Sequence, residues 1–169
     1  MNRIGIIGAM ELEVEELKSQ MEEVTVKEKA SMEFYQGTLN RKEVVVVRSG
    51  IGKVNAAVCT QILVDDFQVE AVINTGIAGS LKAEINIGDI VVSTDALQHD
   101  MDAREFGYPK GQIPQMNVFS FKADETLRKV AAECCKKANP DIQAFEGRVV
   151  SGDQFVASSE VKDELIREF

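Results

Sequence analysis

Arg3-Ile4-Gly5-Ile6-Ile7-Gly8-Ala9-Met10-Glu11-Leu12-Glu13-Val14 opens the chain with an apolar run of strand length. The run ends at Gly8 and passes at once into an acidic amphipathic stretch. A buried parallel strand feeding a helix reads this way, and ligands of open α/β sheets gather at the carboxyl ends of such strands. Glu11 and Glu13 are therefore expected at a binding edge, in the first turn of a helix. Carboxylates in that position also serve simply to complement the helix dipole, an effect of about 0.3–1 kcal/mol. The helix is expected to run to Met21 or Glu22, with Leu12, Leu17 and Met21 among its apolar positions.

Further along, Met32–Leu39 and Glu43–Arg48 are two strand-like runs separated by the polar pair Asn40-Arg41, the pattern of an antiparallel hairpin. Ser49-Gly50-Ile51-Gly52-Lys53 is a glycine-rich bend, and Val54–Phe67 reads as a helix. Glu70–Asn74 is a buried strand, closed by Thr75-Gly76-Ile77-Ala78-Gly79-Ser80. Ile90–Ala96 is a further strand, followed by a long polar stretch from His99 to about Asn117. A loop of that length inside a domain is usually functional or part of an interface. Ala123–Ala138 is helical, Gln143–Ser151 is a strand, and Ser158-Ser159 can cap a last helix from Glu160. Strands alternating with helices, together with one hairpin, give an α/β fold with a mixed β-sheet flanked by helices. The 169 residues suit a single domain, with no linker or internal repeat.

Composition excludes several functions. With 19 Lys and Arg against 28 Asp and Glu the net charge is −9, which argues against nucleic acid or an anionic membrane as a partner. No run approaches a membrane span, and the N-terminus lacks a signal-peptide pattern. Cys59, Cys134 and Cys135 have no disulfide or metal-ligand spacing, and His99 is the only histidine, so no metal is expected. A reducing cytoplasmic compartment fits that cysteine usage.

The motifs differ in weight. Gly50-Ile51-Gly52-Lys53 lacks the earlier glycine and the Ser or Thr of a phosphate loop, and Gly8-Ala9-Met10-Glu11 lacks the dinucleotide-binding glycines. Asn74-Thr75-Gly76-Ile77-Ala78-Gly79 is more informative, because glycines closely following a buried strand let backbone amides approach a ligand, though they also make simple turns. Ser151-Gly152-Asp153-Gln154-Phe155 places an aromatic ring at a strand end, where it can stack on a flat heterocycle or join the core. His99-Asp100 reads as a structural pair, and the three cysteines as packing or bystander thiols.

Taken in order, six segments resemble the bacterial 5′-methylthioadenosine/S-adenosylhomocysteine nucleosidases, of the purine nucleoside phosphorylase-like fold. They are Gly5–Val14, Ser49–Lys53, Asn74–Gly79, Val91 with His99-Asp100, Phe106-Gly107-Tyr108, and Val150–Phe155. The likeness covers essentially the whole chain, and the ordered set is far more specific than any one segment. It implies hydrolysis of the N-glycosidic bond of methylthioadenosine and S-adenosylhomocysteine with release of adenine, in methionine salvage, without cofactor or metal. The transition state would resemble an oxocarbenium ion, calling for a positioned water and a protonated leaving purine.

The resemblance also assigns residues. Glu13 matches the glutamate that positions and activates the water. Phe155 matches the ring that stacks on adenine, and Val156 the residue whose backbone meets the base edge. Met10 and Ile51 match apolar contacts near the sugar and alkylthio group, and Ile77, Ala78 and Gly79 lie in a substrate-binding segment. Family enzymes are homodimers, and Ala103, Phe106 and Pro114 fall in the loop with which one subunit covers the other's alkylthio pocket. Two departures stand out. Ile77 replaces a serine that many members place near the water. The family's Met-Glu ribose motif, its Ser-Asp pair bearing the acid, and a nearby arginine are not found in residues 1–169. The expectation is thus a single nucleosidase-like domain, truncated on its C-terminal side and lacking the last strands and helix of the fold. Its activity is expected to be impaired, since loss of a general acid alone typically costs about 10²–10⁴-fold. Two alternatives remain: a nucleoside phosphorylase using phosphate, or a non-catalytic module binding adenine nucleosides or a partner chain.

Overall fold

The computed structural model describes residues 2–169, whose chain divides into two compact units, Met1–Ala78 and Gly79–Phe169.

In the first unit, strands β1 (Arg3–Gly8), β2 (Glu22–Lys29), β3 (Met32–Leu39), β4 (Lys42–Arg48) and β5 (Ala71–Asn74) form one sheet in the order β2-β3-β4-β1-β5. β1 runs parallel to both β4 and β5, while β2, β3 and β4 are antiparallel. Helix α1 (Glu15–Ser19) and helix α2 (Lys53–Phe67) complete the unit. The run Val44-Val45-Val46-Val47 is buried throughout, as a central strand covered on both faces requires. Val45 and Val47 pack with Ile7, Phe34, Cys59, Leu63 and Phe67. Val44 and Val46 pack with Val14, flanked by Leu17 and Met21. Phe34 and Phe67 stack with ring centroids 5.1 Å apart. Burial pushes the Cys59 thiol up to about 11, so Cys59 packs as a small hydrophobe rather than a reactive group.

Two sequence expectations change here. The helix expected from Met10 to Met21 is instead a 3₁₀ turn at Glu11–Glu13 followed by the five-residue α1. The chain breaks at Val14, φ −129°, because this fully buried side chain and the inward-turned Glu13 cannot both be served by one continuous helix. Residues 22–29, with no strand assigned to them from sequence, form β2, a fully exposed edge strand of mostly charged residues. Lys27 and Lys29 both reach Asp66 of α2, whose carboxyl they hold below the usual range. The expected hairpin at Asn40-Arg41 is present, with both residues at positive φ, and β2 and β3 meet in a second two-residue turn at Ala30-Ser31.

In the second unit, β6 (Ile90–Gln98), β7 (Phe121–Lys122) and β8 (Ala144–Ser151) form a sheet ordered β7-β6-β8, with β6 and β8 parallel. Helix α3 (Glu125–Ala138) packs on β6 and β8, and its N-cap Asp124 accepts the Leu127 amide at 2.8 Å. Helix α4 (Ser159–Glu168) begins at Ser158, whose Oγ accepts the Val161 N–H at 3.2 Å. The strands therefore fall in two sheets, both flanked by helices. No helix among the described residues is long and apolar enough to cross a membrane.

Candidate functional site

Because β1, β4 and β5 are mutually parallel, their carboxyl ends share one edge of the first unit's sheet. Gly8, Arg48 and Asn74 end those strands, so the motifs that follow each one are gathered there. Ser49 is buried and its N–H donates to the Gly8 carbonyl at 2.9 Å, fastening β4's exit to β1's. The Thr75 N–H donates to the Ile7 carbonyl at 2.9 Å and fastens β5's exit to the same strand.

Glu13 turns back into this edge. Its Oε2 accepts the N–H groups of Ala9 at 2.7 Å and Met10 at 2.9 Å, and its Oε1 accepts the Ile77 N–H at 3.1 Å. A carboxylate offers about four lone-pair sites. Three are taken by amides, so Oε1 keeps one for an outside proton. Two glycines make room for this placement. A Cβ on Gly8 would lie 2.9 Å from Glu13 Cβ, and one on Gly76 2.7 Å from Glu13 Oε1. Around the carboxylate the edge is apolar and open: Ile51 and Ile77 are 75% and 83% exposed. Met10 is half-buried and Ala78 exposed. Arg48, which ends β4, is turned toward Glu11, 3.7 Å from its Oε2.

The second unit has its own strand-end edge. β6 and β8 are parallel with Gln98 beside Ser151, which brings His99-Asp100 against Gly152-Asp153. The His99 N–H donates to the Ser151 carbonyl at 2.9 Å, and Asp100 Oδ2 accepts the Asp153 N–H at 2.9 Å. A Cβ on Gly152 would lie 2.5 Å from His99 Nε2, so the buried histidine ring occupies the space this glycine vacates. These bonds tie the two strand ends together. Beyond it, Phe155 stands 97% exposed, and Phe155 and Val156 adjoin a hollow of about 490 Å³ bounded also by Ala157, Ser158 and Val161. Gly79 has nothing within 4 Å of its would-be Cβ.

The long loop after β6 is anchored rather than loose. Ala103 is buried and its carbonyl accepts the Phe106 N–H at 2.9 Å, while Phe106 itself is 83% exposed. Gly111 donates its N–H to the Met101 carbonyl at 2.8 Å, Lys110 pairs with Glu164, and Pro114 is half-buried. Of the three loop residues singled out from sequence, Phe106 is the one presented outward. Ala103 is the footing on which it stands.

Comparison with known proteins agrees with this layout. Residues 3–169 match the family model described as the Phosphorylase superfamily. A 5′-methylthioadenosine/S-adenosylhomocysteine nucleosidase of Halalkalibacterium halodurans is 44% identical over 169 residues, all of this chain and 72% of that protein. The chain belongs to this nucleosidase family. A relative from Staphylococcus haemolyticus is 45% identical over 98% of this chain and 72% of its own length. The crystal structure of the Neisseria meningitidis nucleosidase in complex with methylthio-immucillin-A matches with TM-score 0.95 and 40% identity, over 100% of this chain and 72% of that one. That of Colwellia psychrerythraea in complex with adenine matches with TM-score 0.94 and 41% identity, over 99% and 69%.

Within this nucleosidase family member, the isoleucine at 77 holds Glu13 through its main chain, as any residue but proline could. Sequence reading located Gly76 in a segment expected to receive a ligand. The group received is Glu13, a part of the same chain. Gly8 and Val14 were not marked as site-shaping residues, because nothing local in the sequence says that Gly8 lies against Val14 and Glu13 across the turn.

Proposed function

We propose that the protein hydrolyses the N-glycosidic bond of 5′-methylthioadenosine and S-adenosylhomocysteine, releasing adenine. The observation that carries this reading is the Glu13 carboxylate, held by three amides at the carboxyl ends of parallel strands with one lone pair unspent on Oε1. Such a group accepts a proton from water as the water oxygen bonds to the anomeric carbon and the bond to the base nitrogen breaks, its electron pair leaving on the base, which takes a proton from solvent to depart as adenine. Fixing the carboxylate beforehand removes the orientational cost of that step. Phe155, an exposed ring on a strand end, supplies a face for the purine, and Val156 a main chain for its edge. Met10, Ile51, Ile77, Ala78 and Gly79 supply the surroundings of the sugar and alkylthio group.

Water is favoured over phosphate as nucleophile. The Glu13 carboxylate would repel a phosphate, and Arg48 is directed to Glu11. The reading further includes one cytoplasmic nucleosidase-like domain acting as a homodimer, with Phe106 reaching from the loop of one subunit toward its partner. The test is adenine release from methylthioadenosine, with and without phosphate, by the protein and by Glu13→Gln. Release that is independent of phosphate and lost with Glu13→Gln supports the reading. Release that requires phosphate and yields a sugar 1-phosphate replaces it with a phosphorylase, and binding without release replaces it with a binding module.

A further inference from the structure

Gly50, Gly52, Gly88, Gly107 and Gly111 take positive φ, a conformation that accounts for glycine at each. Gly76 is not among them, so its backbone would accept a side chain. What excludes one is a neighbour. The three nearest atoms to a Cβ at position 76 would be Glu13 Oε1 at 2.7 Å, Cδ at 3.0 Å and Oε2 at 3.4 Å, all from one carboxyl group. The next residue, Ile77, donates the N–H that fixes Oε1 at 3.1 Å. A methyl group at 76 would therefore drive Oε1 back by about 0.7 Å to reach ordinary contact, lengthening that hydrogen bond beyond use.

We propose that Gly76 is the positioning residue for Glu13: its bare Cα sets where the carboxylate lies, and so where the attacking water is held. This rests on the reading that Glu13 acts on water. Gly8 bounds the other side of the same side chain, but a Cβ there also strikes Val14 Cγ1 at 2.7 Å, so its role is mixed with packing. Gly76 meets only the end of a flexible side chain among its three nearest atoms, and its substitution leaves the fold intact.

The test compares the protein with Gly76→Ala, Glu13→Gln and the double variant, using methylthioadenosine as substrate and the Ile77 amide proton resonance as a second readout. Gly76→Ala is expected to lower kcat about 100-fold, the effect of an ångström-scale misplacement, with KM little changed. The double variant is expected to be no slower than Glu13→Gln, because the two changes disable one device. The Ile77 amide resonance is expected to move upfield in both single variants. An unchanged kcat or an unchanged Ile77 resonance in Gly76→Ala overturns the proposal. If Gly76→Ala does not fold, adding Glu13→Asp shortens the crowded side chain and restores folding; a double variant that stays unfolded overturns it too. Absence of adenine release from the unmodified protein refutes the hydrolase reading, and the Ile77 resonance then decides the positioning role alone.

Discussion

The Ile77 amide N–H donates to Glu13 Oε1 at 3.1 Å across 64 positions of sequence. The bond joins the turn after β1 to the turn after β5, strands that lie side by side with Ile7 opposite Asn74. A main-chain donor leaves the hold open to any residue but proline at 77, and the Ile77 side chain is 83% exposed. Chemistry at this edge is thus specified by strand register as much as by the glutamate itself.

Glu13→Gln keeps the side chain's size but sets an NH₂ among N–H donors and removes the proton acceptor. The expected result is a fall in kcat of about 10²–10⁴-fold, with KM for methylthioadenosine altered far less. Steady-state kinetics check this, and an unreduced kcat would remove Glu13 from the mechanism.

Phe155 is 97% exposed, so its truncation costs the fold little. Stacking of a base on an aromatic ring is worth about 1–3 kcal/mol, which is roughly 5- to 150-fold in affinity. Phe155→Ala should weaken adenine binding by that factor, as measured calorimetrically, with the melting temperature unchanged. Equal adenine affinity in the variant would show that the purine lies elsewhere.

Gly8→Ala tests the packing at the end of β1. Its Cβ would meet Val14 Cγ1 at 2.7 Å, and Val14 is fully buried and stiff at χ1. Overpacking of this kind costs about 1–3 kcal/mol, and each kcal/mol lowers Tm by about 2–4 °C in a chain of this size. A thermal melt that matches the unmodified protein would contradict the crowding at this strand end.

The elements legible in the sequence were those whose own pattern decides them. The Ile4–Ile7 run, the four valines of β4 and the stretch Val54–Phe67, free of glycine and proline, each read correctly without tertiary help. β2 did not, since Glu22–Lys29 is exposed along its whole length and is a strand only because β3 pairs with it. The turn at Ala30-Ser31 carries two positive-φ residues with neither Asn nor Gly to announce it, whereas Asn40-Arg41 begins with an asparagine. Glu13 and Phe155 were each visible as residue types in motifs. The roles of Gly8, Val14 and Gly76 were hidden, because each is defined by an approach made through space.

Asp95 lies against Arg148, which donates to both its carboxylate oxygens, the shortest bond being 2.7 Å. The Arg148 hydrogen bonds, with lesser help from Ser120 and Thr94, hold the Asp95 carboxyl below the usual carboxylate range. A depressed folded-state pKa adds stability that is present above the unfolded value, about 3.9, and lost as pH falls through the folded one. Asp95→Asn should therefore melt below the unmodified protein between pH 5 and pH 8, by an amount that hardly varies, and the gap should close below about pH 4. A gap that does not narrow as pH falls below about 4 would mean the pair acts through shape and not charge.

β1 is synthesised before β2, β3, β4 and β5, yet it lies between β4 and β5. Its partners are residues 43–48 on one side and 71–74 on the other. A strand with such distant partners stays unpaired while the intervening chain is made, and closing these long loops is the slow part of reaching a parallel sheet. Glu13 leaves synthesis early and acquires its third hydrogen bond only once Ile77 has arrived. The Glu13 carboxylate therefore reaches its final place only when β5 falls into register beside β1, so its placement is a late event of folding rather than one inherited from the segment that bears the glutamate.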